Sequence, residues 1–191
     1  FSLDKDLSAK LSKLAQDNGT TLYMVLLTAF NVLLARYSGS EDIILGSPIA
    51  NRYHHDIEGL VGFFVNTLIL RNQVDSDKSV KELLNQISSD TLSAFDNQEV
   101  PFEQIVELLD VTRDTSRNPI VQVMFNFLSF GSGGKGRETL NFPGIDISDY
   151  VGVSSNIANF DLNIYISQSA LGLLSFTFNY CTDLFNQDTI E

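Results

Sequence analysis

The stretch GLVGFFVNTLILR, residues 59–71, decides how the whole chain is interpreted. Its apolar residues predict a buried strand over 60–70, because runs of Val, Phe, Ile and Leu are typical of strands buried on both faces. Asn66 and Thr67 interrupt that run, and an unpaired polar group in a dry interior costs about 2–7 kcal/mol. We therefore expect both side chains to find hydrogen-bond partners or to line a cavity. Gly62 indicates a close approach between the backbone and a neighbour.

Two later stretches are equally difficult to explain as ordinary core. The first, NQEVPFE at residues 97–103, places Pro101 and an acidic residue in the first turn of a predicted short helix, where both are favourable. The second, RDTSRNPI at residues 113–120, leads into an apolar strand predicted over 120–130. Two arginines and an aspartate directly before a buried strand are typical of a hydrogen-bonded hinge.

Helices and strands alternate along the rest of the chain. Apolar residues recur at helical spacing over 3–15 and 79–94, and the almost wholly apolar segment 22–37 predicts a buried central helix. Two final strands form a hairpin that turns at residues 169–172. The sequence thus predicts an α/β or α+β sandwich. The remaining strands are predicted at 43–49, 145–153, 160–167 and 173–180.

Composition excludes several classes of function. The 191 residues carry a formal net charge of −12 and no basic stripe, which argues against binding to nucleic acid. Cys181 is the single cysteine, so no internal disulfide can form, and we expect it to be a small core residue. No apolar run reaches the roughly 18 residues that span a membrane, and no signal peptide is present, so we expect a cytoplasmic protein. The abrupt start at Phe1, and a helix that begins near residue 187, indicate a piece of a longer protein.

Two other patterns resemble functional sites only superficially. His54 and His55 are the two histidines of the chain, and with no further histidine or cysteine beside them they do not make a zinc site. We expect them on an exposed loop, within residues 51–58. Residues 132–135, Ser-Gly-Gly-Lys, lack the spacing of a phosphate-binding P-loop, so we expect residues 131–136 to form a flexible loop.

All three stretches, in this order, resemble late core motifs of the condensation domains of nonribosomal peptide synthetases. Residues 59–71 are similar to the family's V-G-x-F-V-N-T motif, residues 97–103 to Q-x-x-P-F-E, and residues 113–120 to R-D-x-S-R-x-P. The resemblance implies a fold of the chloramphenicol acetyltransferase type, with a mixed β-sheet flanked by helices. It also implies two such lobes around a tunnel, in which an acceptor amine attacks a donor thioester. Both substrates are presented on the phosphopantetheine of carrier proteins.

The family's catalytic motif, His-His-x-x-x-Asp-Gly, belongs to the N-terminal lobe and is absent from this chain. His54 and His55 do not replace it, because the motif would require Asp and Gly where Gly59 and Leu60 stand. The resemblance therefore implies that residues 1–191 are the C-terminal subdomain alone. We expect this subdomain to have no catalytic residue, no metal site and no directly bound cofactor, and to be inactive by itself.

The resemblance also implies which residues face the tunnel or the other lobe, although the same side chains could instead fix strand and hinge geometry. The implied partners are the N-terminal lobe, peptidyl carrier proteins and adjacent synthetase domains. Exposed apolar surface at the lobe interface predicts self-association of the isolated chain. The tunnel or interface candidates are Gly62, Phe63, Asn66, Thr67, Arg113, Arg117 and Asn118.

Two other functions remain open from the sequence. An epimerisation or heterocyclisation domain is related in sequence, but epimerisation relatives usually carry a Gly-Tyr-Gly stretch before the Phe-Asn strand. Residues 118–127, NPIVQVMFNF, follow the condensation pattern instead. The second alternative is a noncatalytic interaction module.

Overall fold

A computed structural model describes residues 1–52, 54–110, 117–129 and 157–191. The predicted strand at 145–153 and the loop at 131–136 lie outside these residues. Within the described residues the helices are α1 Lys5–Asp17, α2 Leu22–Ser38, α3 His55–Glu58, α4 Val80–Asp96, α5 Phe102–Leu108 and α6 Gln187–Ile190. The strands there are β1 Asp42–Ile49, β2 Asn66–Gln73, β3 Val123–Ser129, β4 Leu162–Gln168 and β5 Leu174–Tyr180.

The five strands form one mixed sheet in the order β2-β1-β3-β4-β5. The central pairs β1–β3 and β3–β4 are parallel, whereas β2 and β5 pair antiparallel with their neighbours at the two ends. The predicted hairpin between β4 and β5 is present, and Gly172 in its turn adopts a φ of 79° that favours glycine. This architecture confirms the predicted mixed sheet with helices.

Side chains on alternate residues divide the sheet into two faces. The helix face packs against α2 and α4, and its strand residues form one hydrophobic cluster with Leu27, Phe30 and Ile87. The strand members of that cluster are Ile43, Leu45, Ile49, Leu68, Leu70, Phe125, Leu162, Ile164, Ile166 and Leu174. The residues between them point the other way, to a surface that we name the second face.

The central helix α2 begins and ends as its sequence predicts. Thr21 caps its first turn by accepting a hydrogen bond from the Met24 backbone, and Gly39 ends it in the left-handed conformation. In the described part of the chain no single helix has the length and hydropathy to cross a membrane. Helices α1 and α2 reach those values only as a pair, which bends by 106°.

One prediction is wrong in part. Residues 60–65 were expected to belong to the strand that runs to Leu70, but β2 begins only at Asn66. The apolar side chains of Leu60, Val61 and Phe63 are exposed rather than buried between strands. A continuous apolar run carries no periodicity that separates a buried strand from an exposed apolar loop.

A buried phenol links α2 to the sheet. The Tyr23 hydroxyl donates to Ser47 Oγ at 3.0 Å, and Ser47 Oγ donates in turn to the Phe125 carbonyl at 3.0 Å. Burial raises the pKa of the Tyr23 phenol to about 12, although the Ser47 hydrogen bond opposes that rise. The folded chain therefore holds this tyrosine neutral well into the alkaline range.

Alkaline pH should destabilise the chain through Tyr23. An unfolded tyrosine ionises near pH 10, and the folded one does so only near pH 12, so this contribution is complete below about pH 10 and is lost as the pH rises toward 12. The free energy of unfolding, measured in urea, should fall more steeply over that pH window for the wild type than for Tyr23→Phe. Parallel pH profiles for the two proteins would contradict the assignment.

Neighbouring side chains approach the backbone of β1 closely at Gly46. A Cβ atom there would lie 2.7 Å from Val121 Cγ1 and closer still to Met124 Sδ. We expect Gly46→Ala to reduce the free energy of unfolding by about 1–3 kcal/mol through overpacking. Gly59→Ala is the matched control, because an added Cβ at Gly59 meets no atom within 4 Å. Equal urea midpoints for the two variants would show that the sheet accommodates the extra methyl group.

Candidate functional site

Asn66 connects the first two motif stretches. Its Nδ2 donates to the carbonyls of Gln98 at 3.1 Å and Val100 at 2.8 Å. Its Oδ1 accepts from the backbone N–H groups of Thr67 at 2.9 Å and Phe102 at 3.1 Å. Both amide hydrogens and both oxygen lone pairs are thereby used, and the side chain is only 8% exposed.

The bond to Phe102 also supplies a helix cap. Pro101 occupies the N-cap position of α5 and offers no side-chain hydrogen bond there. The first N–H groups of a helix have no partner within the helix, so a cap from elsewhere is needed. Asn66 provides it from the start of β2. Of the two alternatives that the sequence left open for Asn66, hydrogen-bond pairing or lining a cavity, the structure shows pairing.

Arg52 organises the loop between α3 and β2. Its guanidinium donates to the carbonyls of Ile57 at 2.5 Å and Leu60 at 2.9 Å, with longer bonds to Glu58 and Gly62. It also lies 4.2 Å from the centre of the Phe64 ring, a cation–π contact. The five donors of a planar guanidinium suit such convergent carbonyls. Sequence reasoning missed this role, because Arg52 stood in a stretch interpreted only as polar.

The loop held by Arg52 presents apolar side chains to its surroundings. We name residues 60–65 the apolar loop. Val61 is fully exposed and Phe63 is 89% exposed, while Phe64 folds back onto Arg52. Gly62 is constrained, because a Cβ there would lie 3.0 Å from the Phe64 ring. The candidates Gly62 and Phe63 thus belong to this loop and not to the sheet.

Thr67 lies on the second face of the sheet. It pairs with Pro48 across β1 and β2, and its methyl group would lie 3.2 Å from a Cβ at Gly46. Asn66 and Thr67 are adjacent but point to opposite faces, as neighbours on a strand must. The structure therefore separates two candidates that the sequence treats as a pair.

A second polar group lies on the same face, on β3 and β4. Asn126 Nδ2 donates to Asn163 Oδ1 and, at 3.2 Å, to the Ile164 carbonyl. Asn163 Nδ2 donates to the Tyr165 hydroxyl at 2.9 Å. The alternation of Leu162, Ile164 and Ile166 placed Asn163 and Tyr165 opposite the core, but sequence reasoning drew no function from it.

The third motif is only partly described. Arg113 lies outside the described residues, and Arg117 is exposed. Asn118 Nδ2 donates to the Asn159 carbonyl at 2.6 Å, which joins the segment before β3 to the segment before β4. Ile120 has a φ of 63°, and Val121 N donates to the Pro119 carbonyl at 2.6 Å. A β-branched residue in that region is strained, so the entry to β3 is a tight and costly turn.

The two histidines lie at the start of the short helix α3. His54 caps the short helix α3 by accepting from Asp56 N at 3.3 Å, and His55 lies exposed within it. The expected exposure is present, although residues 55–58 form a helical turn instead of a loop. Across the described ranges, no group of three His, Cys, Asp or Glu residues is placed to hold a metal ion.

The chain is similar in sequence to peptide synthetases. It is 44% identical over 192 residues to Gramicidin S synthase 2 of Aneurinibacillus migulanus and 40% identical over 191 residues to Tyrocidine synthase 3 of Brevibacillus parabrevis. Each alignment covers 100% of this chain but only 4% and 3%, respectively, of the relatives' own length.

Solved structures share the fold. A four-domain nonribosomal peptide synthetase bound to AMP and glycine matches with a TM-score of 0.87 at 24% identity, over 99% of this chain and 15% of that one. The X-domain from teicoplanin biosynthesis matches with a TM-score of 0.86 at 23% identity, over 99% of this chain and 42% of that one. These matches confirm the predicted chloramphenicol acetyltransferase-like fold class. The family model described as "Condensation domain" matches residues 1–191, and the chain therefore belongs to the condensation-domain family.

Proposed function

We propose that residues 1–191 form the C-terminal lobe of a condensation domain that joins aminoacyl or peptidyl thioesters through an amide bond. Membership of the family supports the reaction class. The share of the X-domain that the chain matches, 42%, is consistent with one of two lobes. The observation that carries the proposal is the apolar loop, because Arg52 holds it in one conformation while Val61 and Phe63 extend outward.

A loop of this kind suits a lobe interface. Exposed aromatic and aliphatic side chains mark surfaces that bind other proteins. Fixing the loop before contact lowers the entropy that is lost on association. We therefore assign the apolar loop, including Gly62 and Phe63, to contact with the N-terminal lobe. Thr67 on the second face, with Arg113, Arg117 and Asn118 before β3, is assigned to the tunnel or to the hinge that supports it.

The reaction requires two tethered substrates and no resident cofactor. The acceptor amine attacks the thioester carbonyl of the donor, so a C–N bond forms and the C–S bond breaks. The amine loses a proton, and the donor's phosphopantetheine leaves as a thiol. Holding both reactants in line contributes much of such an acceleration. In this proposal the N-terminal lobe supplies the His-His-x-x-x-Asp-Gly motif, and this chain forms one tunnel wall and a docking face for carrier proteins.

The same proposal assigns the partners and the cellular location. The partners are the N-terminal lobe, peptidyl carrier proteins and the neighbouring synthetase domains, in a cytoplasmic enzyme that produces a peptide secondary metabolite such as an antibiotic. The fragment alone should be inactive. Sequence upstream of Phe1 distinguishes this function from a noncatalytic interaction module, because a histidine motif there would refute the noncatalytic alternative.

Replacing Asn66 should affect both stability and turnover. In the intact two-lobed protein, Asn66→Ala leaves the Phe102 N–H and two carbonyls without their partner, which should cost about 2–4 kcal/mol of unfolding free energy. Formation of the dipeptidyl carrier protein, measured well below the melting temperature, should fall about tenfold. The exposed Glu99→Ala in the same segment is the control and should change stability by less than about 0.5 kcal/mol. Unchanged turnover in Asn66→Ala would remove Asn66 from the functional residues.

The isolated chain should self-associate through the apolar loop. Sedimentation velocity over a range of concentrations should show dimers or larger species. The double variant Val61→Ser/Phe63→Ser should shift them toward monomer without loss of stability, since both side chains are exposed. Leu171→Ser is the matched control, because Leu171 is 81% exposed at the β4–β5 turn. A wild-type chain that stays monomeric throughout, or an equal effect of Leu171→Ser, would refute this assignment.

A further inference from the structure

The second face of the sheet carries no charged side chain over three strands, and seven of its nine outward residues there are polar. The outward positions of β3, β4 and β5 hold no acid and no base, although the chain contains 24 acidic and 12 basic residues. These positions suit neutral groups, because they offer no counter-charge to a carboxylate or a phosphate. The outward residues are Met124, Asn126, Leu128, Asn163, Tyr165, Ser167, Ser175, Thr177 and Asn179.

The hydrogen bonds that join Asn126, Asn163 and Tyr165 have a fixed order of donors and acceptors. The Ile164 carbonyl can only accept, so the Asn126 group facing it must be the Nδ2 donor. The same Nδ2 donates to Asn163, which fixes Oδ1 of Asn163 toward Asn126 and Nδ2 toward Tyr165. The orientation of both amides thus follows from one backbone carbonyl.

Tyr165 is the last acceptor in this chain of hydrogen bonds, which runs from Asn126 through Asn163. Its hydroxyl accepts from Asn163 at 2.9 Å, so the hydroxyl hydrogen remains free to be donated elsewhere. Among the described residues none accepts that hydrogen. Asn126 and Asn163 are each 9% exposed, whereas Tyr165 is 41% exposed. Two buried amides therefore support one accessible donor, and successive hydrogen bonds in a chain strengthen one another.

We propose that the Tyr165 hydroxyl, oriented by Asn163 and Asn126, donates a hydrogen bond to a neutral carbonyl oxygen of the tethered substrate. This inference rests on the proposed function, because it takes the second face as a wall of the tunnel. The acceptor is a carbonyl of an amide or thioester, since a free hydroxyl donor on an uncharged face matches such an oxygen. Tyr165 is thus a binding residue, and Asn163 and Asn126 are positioning residues.

The test uses the intact two-lobed protein and steady-state condensation kinetics. Tyr165→Phe removes only the hydroxyl and should raise KM for the carrier-bound substrate about three- to tenfold, the loss of one hydrogen bond, with kcat changed less than about twofold. Tyr180→Phe is the matched control on the same hairpin, because Tyr180 lies on the helix face and packs against the core. It should leave KM unchanged.

A second variant tests whether Asn163 orients the Tyr165 hydroxyl. In Asn163→Asp the donor to Tyr165 becomes an acceptor, so the hydroxyl should turn inward and KM should rise as in Tyr165→Phe. The double variant Tyr165→Phe/Asn163→Asp should then raise KM no further than Tyr165→Phe alone. A general loss of stability would not produce that result. Tyr165→Phe also leaves the buried Asn163 Nδ2 without its acceptor, so KM is compared well below the melting temperature of every variant.

Two substrates identify which carbonyl accepts the hydrogen bond from Tyr165. An increase in KM for both carrier-bound and N-acetylcysteamine thioesters would place the contact on the acyl group or on the amide next to the thioester, which both substrates contain. An increase for the carrier-bound substrate alone would place it on the more distant pantetheine amide. Either result supports the proposal. Unchanged KM for both substrates in Tyr165→Phe, or an equal change in Tyr180→Phe, would overturn it. A wild-type protein that forms no amide bond would instead refute the proposed function.

Discussion

The four hydrogen bonds of Asn66 are the constraint on which the rest of the site depends. They tie the first residue of β2 to the segment between α4 and α5 and supply the cap that Pro101 cannot give. They also fix the point where the apolar loop ends and the sheet begins. Two stretches separated by about thirty residues of sequence therefore behave as one structural unit, and a shift in either would move the other.

A second organising device, Arg52, acts on the other end of the same loop. A guanidinium surrounded by carbonyls and an aromatic ring holds backbone that has no strand or long helix to pair with. Between Arg52 and Asn66, the loop is restrained at both ends while its apolar side chains stay outside. This arrangement explains how residues 60–65 can be both apolar and exposed without collapsing onto the sheet.

The sequence predicted the regular parts of the fold more accurately than the site. Helix α2 was recognisable because its apolar composition and its caps, Thr21 and Gly39, indicate the same helix. The β4–β5 hairpin was recognisable because apolar and polar residues alternate along both strands. The start of β2 was misplaced, since an apolar run looks the same whether it is buried or exposed. The pairing of Asn66 was expected from the cost of burying an amide, but three of its four partners lie more than thirty residues away, and no local pattern identifies them. Arg52 and Tyr165 carried even less signal. The carbonyls that Arg52 binds lie five to ten residues away in a loop without periodicity, and the Asn126–Asn163 pair that orients Tyr165 spans 37 positions of sequence.

The pairing of the two ends of the chain has a consequence for how this protein is made. Residues 1–3 add to the edge of β5, with Phe1 and Phe176 exchanging backbone hydrogen bonds across 175 positions of sequence. The parallel pair β1–β3 also joins distant segments, so contact order is high and folding should be slow. At about 5–20 residues per second, a ribosome needs on the order of ten seconds or more to reach β5 after α2 has emerged. During that interval the apolar α2 has no complete sheet to cover it, which makes the nascent chain a natural client for chaperones.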